Sequence, residues 1–394
     1  MTPAARLQAA IDVLAAIDAG ASTAERALAA WGRASRYAGA RDRAAVSDLV
    51  YQALRRWRSQ AWRAGGEGPR AAILGGAAEA GEDVATLFAG LRHGPSPLTD
   101  AERTALTAAR PAPAPVRLDY PDWLDAPLRE SLGPCFEASM AALRDRAPVD
   151  LRVNALKATV AEARAALAAE GVETTPVDVA PGALRAAPGA PVARTRAFAE
   201  GLVELQDAAS QAAAALADAR AGETVLDFCA GAGGKALALA AAMGGRGRVF
   251  AHDAEPRRMR DLPGRAARAG ARVETLDAAG LEALRGACDL VFVDAPCSGS
   301  GSWRRDPLGK WRLTPSRLAA LAALQAEILR SAAQRLRPGG RLAYATCSVL
   351  TEETDAPVAA AFGDAARTVA SLTLTPADGA DGFSCRILQV APSP

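Results

Sequence analysis

Two cysteines stand where a thiol could react. Cys297 lies in the run Asp294-Ala295-Pro296-Cys297-Ser298-Gly299-Ser300-Gly301, and Cys347 in Tyr344-Ala345-Thr346-Cys347-Ser348. Each run closes a short apolar stretch that reads as a strand, over residues 290–294 and 341–346. A thiolate is the most nucleophilic of the ordinary side chains. Two of them at strand ends, beside the Asp294 carboxylate, suit covalent chemistry. A lone free cysteine is usually buried filler, and Cys135, Cys288 and Cys385 are read that way. Cys229 is read as packing whose backbone lines the turn described next.

That turn is Val225-Leu226-Asp227-Phe228-Cys229-Ala230-Gly231-Ala232-Gly233-Gly234-Lys235. An apolar strand runs into glycines that open a helix, where backbone N–H groups meet a ligand closely. Gly231, Gly233 and Ala236 fit the loose dinucleotide spacing, and Asp253 follows about 20 residues on, where a ribose-binding acid is expected. A phosphate-binding loop fails, because Ala236 follows Lys235. S-adenosylmethionine, whose ribose needs the same acid, is the third reading. The glycines alone leave dinucleotide and S-adenosylmethionine open, although hydride transfer has no evident use for the cysteine pair.

These residues need a scaffold. After residue 222, apolar strands at 224–228, 248–252, 272–276, 290–294 and 341–346 alternate with helical stretches at 236–243, 255–269 and 315–335. Such alternation predicts a parallel sheet covered by helices on both faces, with ligands beyond the carboxyl ends of its strands. Upstream, 150–154 and 202–205 read as strands around a helix at 160–170, a small α+β segment. Residues 1–64 read as helices over 7–17 and 46–57, with Thr23 and Ser47 near helix starts. They hold ten arginines against five acids, so a basic nucleic-acid footprint and a solvated face are both open. Prolines thicken from Gly94 to Pro121 as in a connector, placing a boundary near residue 115.

The chain has 394 residues, half of them apolar, and a net charge of +2. This excludes a disordered tail, a collagen-like chain and a disulfide miniprotein. No apolar run is long enough for a membrane span, and Asp12 and Asp18 interrupt the only apolar run of the N-terminus, so no signal peptide is expected. Six scattered cysteines without a CxxC pair argue against a disulfide framework or a metal site and for the reducing cytoplasm. Only three of 46 basic residues are lysine: Lys157, Lys235 and Lys310. Where arginine fills most basic positions, a remaining lysine points to a need for a compact ammonium.

Together the Asp-Ala-Pro-Cys-Ser-Gly and Tyr-Ala-Thr-Cys-Ser runs resemble the Sun (RsmB-type) family of RNA cytosine-5 methyltransferases. Leu205-Gln206-Asp207-Ala208-Ala209-Ser210-Gln211, Lys310-Trp311 and Asp381-Gly382-Phe383 are also similar to the family, so the resemblance covers about 120–394. Residues 41–57 resemble the NusB-like helical RNA-binding domain of bacterial members. The turn Ala230-Gly231-Ala232-Gly233-Gly234-Lys235 departs from the commoner Ala-Ala-Pro-Gly-Gly-Lys.

The resemblance implies a Rossmann-like class I methyltransferase domain over 206–394. A helical NusB-like domain (1–115) and a linker with a small α+β RNA-recognition segment (116–205) would precede it. It implies methyl transfer from S-adenosylmethionine to carbon 5 of a cytosine in RNA, 16S rRNA in the first instance, in rRNA processing; a monomer is the default expectation. Cys347 would be the nucleophile on carbon 6 and Cys297 would serve release. Asp294 would hold the cytosine N3/N4 edge, and Lys235 would supply positive potential. Cys229, Ala230, Gly231, Ala232, Gly233, Gly234 and Lys235 would wrap the methionine portion of the cofactor, with Asp294 also near it. Asp253 would bind the ribose with Arg258 nearby, and Asp277 the adenine. From the residues alone Asp277 reads first as the N-cap of the helix at 278–284, and both roles could coexist. Trp303, Arg304, Arg305 and Trp311 are weighed as a stacking and phosphate edge against half-buried packing. A DNA cytosine-5 methyltransferase is the weaker reading, lacking its Asn-Val-type segment. A tRNA or 23S rRNA substrate stays open, as does a non-catalytic RNA-binding assembly factor.

Overall fold

The computed structural model describes residues 1–20, 23–108 and 110–391. They form two compact units. Unit 1 comprises Met1–Arg129, Phe136–Arg146 and Trp303–Arg312; unit 2 comprises Glu130–Cys135, Ala147–Ser302 and Leu313–Pro394. Among the described residues no helix is long and apolar enough to cross a membrane.

Unit 1 is helical. Helices Pro3–Asp18, Ala40–Arg55 and Gly68–Glu79 bury Leu7, Leu14, Val46, Val50, Leu54 and Leu74 in one core. Thr23 caps the helix Ala24–Ala34 as expected, whereas Ser47 lies inside Ala40–Arg55 and caps nothing. The proline-rich stretch is more than a connector. It carries the helix Asp100–Thr107, closed by a Thr99–Glu102 capping box, so the boundary expected near 115 falls inside this unit. Arginines of the basic N-terminal stretch are partly spent on internal ion pairs, Arg6 with Asp42, Arg56 with Glu79 and Asp145, and Arg58 with Asp122. Arg26, Arg33, Arg36, Arg41 and Arg63 remain exposed.

The segment 303–312 belongs to this unit. Its helix Pro307–Arg312 lets Trp311 donate from Nε1 to Leu54 O at 2.7 Å and Lys310 from Nζ to Arg55 O at 3.2 Å. These carbonyls end the helix Ala40–Arg55, where intrahelical donors run out and a positive charge is favoured. Trp303 is fully buried, Arg304 and Lys310 are buried, and Leu308 joins the helical core. Of the two readings weighed for these residues, packing holds for Trp303 and Arg304, and the indole N–H of Trp311 is committed to a helix end.

Unit 2 carries both sheets. Strands β1 (Val149–Val153), β2 (Thr174–Pro176), β3 (Ala183–Ala186) and β4 (Val203–Leu205) form an antiparallel sheet of order β2-β3-β1-β4. The larger sheet has strands β5 (Thr224–Asp227), β6 (Arg248–Ala251), β7 (Glu274–Thr275), β8 (Cys288–Asp294), β9 (Leu336–Thr346), β10 (Ala366–Leu374) and β11 (Phe383–Val390). Their order is β10-β11-β9-β8-β5-β6-β7. All pairs from β9 to β7 are parallel, and β11 runs antiparallel between β9 and β10. This is an open, mostly parallel Rossmann-like sheet, as the strand–helix alternation predicts.

Side-chain alternation explains why both faces are covered. Val225, Leu290, Phe292, Ala343 and Ala345 enter one core; Leu226, Val291, Val293, Leu342 and Tyr344, their chain neighbours, enter the other. Successive residues of a strand face opposite ways, so continuous apolar runs require helices on each side. Full burial of a side chain such as Phe292 contributes about 2 kcal/mol. The helices Gly234–Ala242 and Leu262–Ala269 cover the first face, and Pro315–Ala333 the second.

The two sheets are joined by polar ties. Arg152 donates to Gln206 Oε1 at 2.7 Å, and Gln206 Nε2 reaches Gly234 O at 3.4 Å. Buried Glu204 pairs with Arg265 and Arg268. Lys157 Nζ donates to Glu200 O at 2.8 Å and to Arg268 O at 2.6 Å, the latter in the last turn of Leu262–Ala269.

Candidate functional site

Most of the expected site residues stand at or just after the carboxyl ends of β5, β6, β8 and β9, whereas Asp277 follows β7. After β5 the chain turns through Gly231 and Gly233, both with positive φ, into the helix that begins at Gly234. Gly233 is required twice over. Its φ is +82°, and a Cβ there would sit 2.1 Å from Leu262 Cδ1.

Asp227 ends β5 fully buried. Its Oδ2 accepts from Ala236 N at 2.8 Å, while Oδ1 has no hydrogen-bond partner among the described residues. Burial, with Asp294 nearby, pushes its carboxyl up to about 7. Asp253, after β6, is buried too. Its Oδ2 accepts from Gly231 N at 2.9 Å and pairs with Arg258 Nη1 at 3.2 Å, and its Oδ1 accepts from Glu255 N. The acid is thus wired to the glycine turn.

Lys235 leaves that turn on the first turn of the helix, buried, with Nζ 2.8 Å from Asp294 Oδ2 at the end of β8. The ammonium lies 4.9 Å from the centroid of Phe383. Burial opposes its charge, but Asp294 and Asp227 outweigh burial and hold the pKa above the ordinary lysine value.

The two cysteines meet. Cys297 and Cys347 are half-buried, with Sγ to Sγ 3.4 Å. The shared hydrogen bond splits them: Cys347 is lowered by the Cys297 S–H, with Ser302 and Lys235 adding to it against burial and Asp294. Cys297 is raised by its partner, by burial and by Glu353. Backbone contact fixes the two loops together. Gly301 donates to Cys347 O at 3.0 Å and accepts from Gly382 N at 2.9 Å. A Cβ on Gly301 would lie 2.0 Å from Gly382 O, so any other residue would push the Cys297 loop away from the chain before β11.

Asp277 caps the helix Ala278–Ala283, accepting from Gly280 N at 2.8 Å through Oδ1. It also lines an open cavity of about 550 Å³ with Pro256, Met259, Arg260, Pro263, Thr275 and Leu276. Cys229 is half-buried, and burial first, then the acids around it, raises its thiol. Cys288 and Cys385 are buried as expected; Cys135 is exposed, since it lies in the turn Gly133–Cys135 and not in an apolar element.

Sequence reading missed the polar residues that hold the cysteine loops: Ser298, Ser300, Ser348, Gln325 and Glu353. Ser300 Oγ lies 2.9 Å from Ser348 Oγ and accepts from Val349 N. The serines flank the cysteines, a usable signal; Gln325 and Glu353 carried none.

Residues 214–392 match the family model for the 16S rRNA methyltransferase RsmB/F, and 120–193 match the RsmF/B-like ferredoxin-like domain. The probable ribosomal RNA small subunit methyltransferase B of Bacillus subtilis (strain 168) is 36% identical over 244 residues, 60% of this chain and 54% of the relative. The ribosomal RNA small subunit methyltransferase B of Enterobacter sp. (strain 638) is 33% identical over 281 residues, 68% and 65% of the two chains. The chain therefore spans about half to two thirds of the length of these curated relatives. The crystal structure of PH0851 superposes with a TM-score of 0.76 at 25% identity, covering 99% of both chains. A methyltransferase homolog protein from Pyrococcus horikoshii gives 0.61 at 24% identity over 70% of this chain and 96% of its own, which shows the fold alone. With two adjoining domains matched and both cysteine loops in the matched catalytic part, the chain belongs to the RsmB/F, or Sun-type, family of rRNA methyltransferases.

Proposed function

We propose that this protein transfers a methyl group from S-adenosylmethionine to carbon 5 of a cytosine in RNA, 16S rRNA first, through a covalent bond between Cys347 and carbon 6. The observation that carries the reading is the 3.4 Å approach of Cys297 and Cys347 beside the Lys235–Asp294 pair. The residues fit the cofactor: a glycine turn with two positive φ values, Asp253 wired to that turn, and Asp227 with one buried oxygen lacking a donor.

When bound, S-adenosylmethionine supplies an electrophilic methyl. Residues 229–235 would hold its methionine portion, Asp253 with Arg258 its ribose, and Asp277 its adenine. Capping uses one oxygen of Asp277, so cap and ligand roles are compatible. Carbon 5 of cytosine is a poor nucleophile, and attack by the Cys347 thiolate on carbon 6 makes it electron-rich. The Cys297 S–H and the Lys235 charge favour that thiolate. Asp294 holds the N3/N4 edge and stabilises charge there as the thiolate adds. In release, the step assigned to Cys297, that thiol gives its own proton to solvent and takes the proton of carbon 5; the freed electron pair re-forms the 5,6 double bond and Cys347 leaves as thiolate. The base must be unstacked for the thiol to reach it. The small sheet, and the exposed arginines of the helical, NusB-like unit, are offered as the surfaces that hold the RNA backbone.

Bisulfite sequencing of total RNA from cells with and without this gene tests the proposal. Loss of one protected cytosine in 16S rRNA is the expected result. Loss at a tRNA or 23S site would keep the chemistry and change the substrate. No change in any RNA would overturn it in favour of an assembly factor.

A further inference from the structure

Behind the cysteine pair lies a buried carboxylate that the chemistry above leaves without a task. Glu353 ends the turn Thr351–Glu353, six residues after Cys347, and is fully buried. Its Oε1 accepts from Ser298 N at 2.8 Å and from Gln325 Nε2 at 3.1 Å; its Oε2 accepts from Ser298 Oγ. Gln325, also fully buried, sends the same Nε2 to Pro296 O at 2.9 Å. The Tyr344 hydroxyl sits 2.7 Å from Glu353 O and 3.1 Å from Gln325 Oε1. Both peptide neighbours of Cys297 are therefore tied to one acid–amide pair, on the N-terminal side through the Pro296 carbonyl and on the C-terminal side through the Ser298 N–H.

Burying a carboxylate is costly unless its oxygens are fully hydrogen-bonded. A glutamine or an apolar residue would fill this space at lower cost. What the acid provides, and an apolar residue would not, is a fixed acceptor for the Ser298 N–H and a negative charge facing Cys297. We propose that Glu353, acting through Ser298 and Gln325, is a positioning residue that sets the approach of Cys297 to Cys347. The inference rests on the two-thiol chemistry proposed above and adds the group that gives the two sulfurs different duties. A negative charge on the Cys297 side keeps that sulfur protonated, so its S–H points to Cys347. The thiolate then resides on Cys347, which attacks, and not on Cys297, which serves release. Without Glu353 the two thiols would compete for the same charge.

The test is competitive alkylation of the full-length protein by iodoacetamide, with Cys297 and Cys347 read separately by peptide mass spectrometry from pH 6 to 10. E353Q keeps the shape and removes the charge. The expected result is a Cys297:Cys347 alkylation ratio raised about tenfold at neutral pH, with the Cys297 profile moved to lower pH. S298A, which removes one tether and leaves the charge, should move the ratio the same way by less. If E353Q melts below the assay temperature, Q325A carries the test, since it frees the Pro296 carbonyl and leaves the carboxylate in place; its ratio should also rise. An unchanged ratio in whichever variants fold overturns the proposal. In a second arm with RNA, E353Q should slow adduct formation and methyl transfer together at neutral pH, because less Cys347 is thiolate, with the rate recovering as pH rises; a rate and pH profile unchanged from wild type overturn it. Because alkylation needs no RNA, wild-type protein that methylates no RNA would defeat the functional reading and still leave the role of Glu353 decided.

Discussion

Lys235, on the first turn of the helix after β5, and Asp294, at the end of β8, meet at 2.8 Å, Nζ to Oδ2, with the ammonium over the Phe383 ring. One positive charge thus serves two neighbours, neutralising Asp294 and favouring the thiolate of Cys347. Lys235→Met should raise the Cys347 thiol, so the acid limb of the pH–rate profile moves to higher pH. At neutral pH methyl transfer should fall by about 100-fold. Lys235→Arg should not rescue it, because a forked guanidinium does not fit a buried slot shaped for a point charge. Rate measurements from pH 6 to 9 check both.

The cysteines should separate by product. Cys347→Ala should abolish methylation and leave no covalent complex. Cys297→Ala should form a denaturant-resistant RNA adduct, since attack and transfer precede release. Denaturing gels with labelled RNA read both outcomes, and exchanged roles would point to the Pro-Cys chemistry of DNA enzymes.

Asp227 predicts a pH dependence of stability. Its carboxyl is raised from 3.8 to about 7 in the fold. Between those values the unfolded chain has released the proton and the folded one has kept it. Stability is thus fully present below the lower value and falls as pH rises to the higher one. Asp227→Asn should remove that slope and raise the melting temperature at pH 7.5 relative to wild type, by the equivalent of a few kcal/mol, about 4 at most. Thermal melts at pH 5 and 7.5 test it.

Asp277 can be separated from its cap. Asparagine caps as well as aspartate, so Asp277→Asn should leave melting within about 0.5 kcal/mol of wild type. It should weaken S-adenosylmethionine binding in calorimetry. Asp253→Asn should weaken it more, by about tenfold or greater, because the same oxygen orders the glycine turn.

Trp311 is expected to matter for stability and not for RNA. Trp311→Phe removes the donor to Leu54 O and should cost about 1 kcal/mol in denaturant melts. RNA affinity in filter binding should stay within about twofold of wild type.

The parallel strands were legible because their faces are buried on both sides, which writes continuous apolar runs; β5 and β6 fall within a residue of the expected ends. β10 and β11 were not. β11 inserts between β9 and β10 through pairing with distant residues, and no local period encodes a partner. Strands β2 and β3 are too short for a period. At the site, cysteine and glycine runs announced themselves by type. Glu353 hid within Thr351-Glu352-Glu353-Thr354-Asp355, a stretch that reads as solvated surface until burial is known. The scarcity of lysine proved informative. Lys157 and Lys310 each place an ammonium on carbonyls at a helix end, and Lys235 places one on a buried carboxylate. Trp303 stayed open in the sequence, since an aromatic beside two arginines reads the same inside a core as on a binding face.

The polypeptide crosses between the two units at 129/130, 135/136, 146/147, 302/303 and 312/313. The last two crossings bracket the decapeptide that ends the helix Ala40–Arg55 and lends Leu308 to the helical core. The halves are therefore not interchangeable cassettes. A catalytic fragment cut at residue 147 would carry Trp303, Leu308 and Lys310 with nothing to bury them, and would be a sticky protein. The complementary N-terminal fragment would lack a piece of its own interior. Recombination between relatives is constrained in the same way. A helical unit acquired from another member would need a matching decapeptide from far downstream.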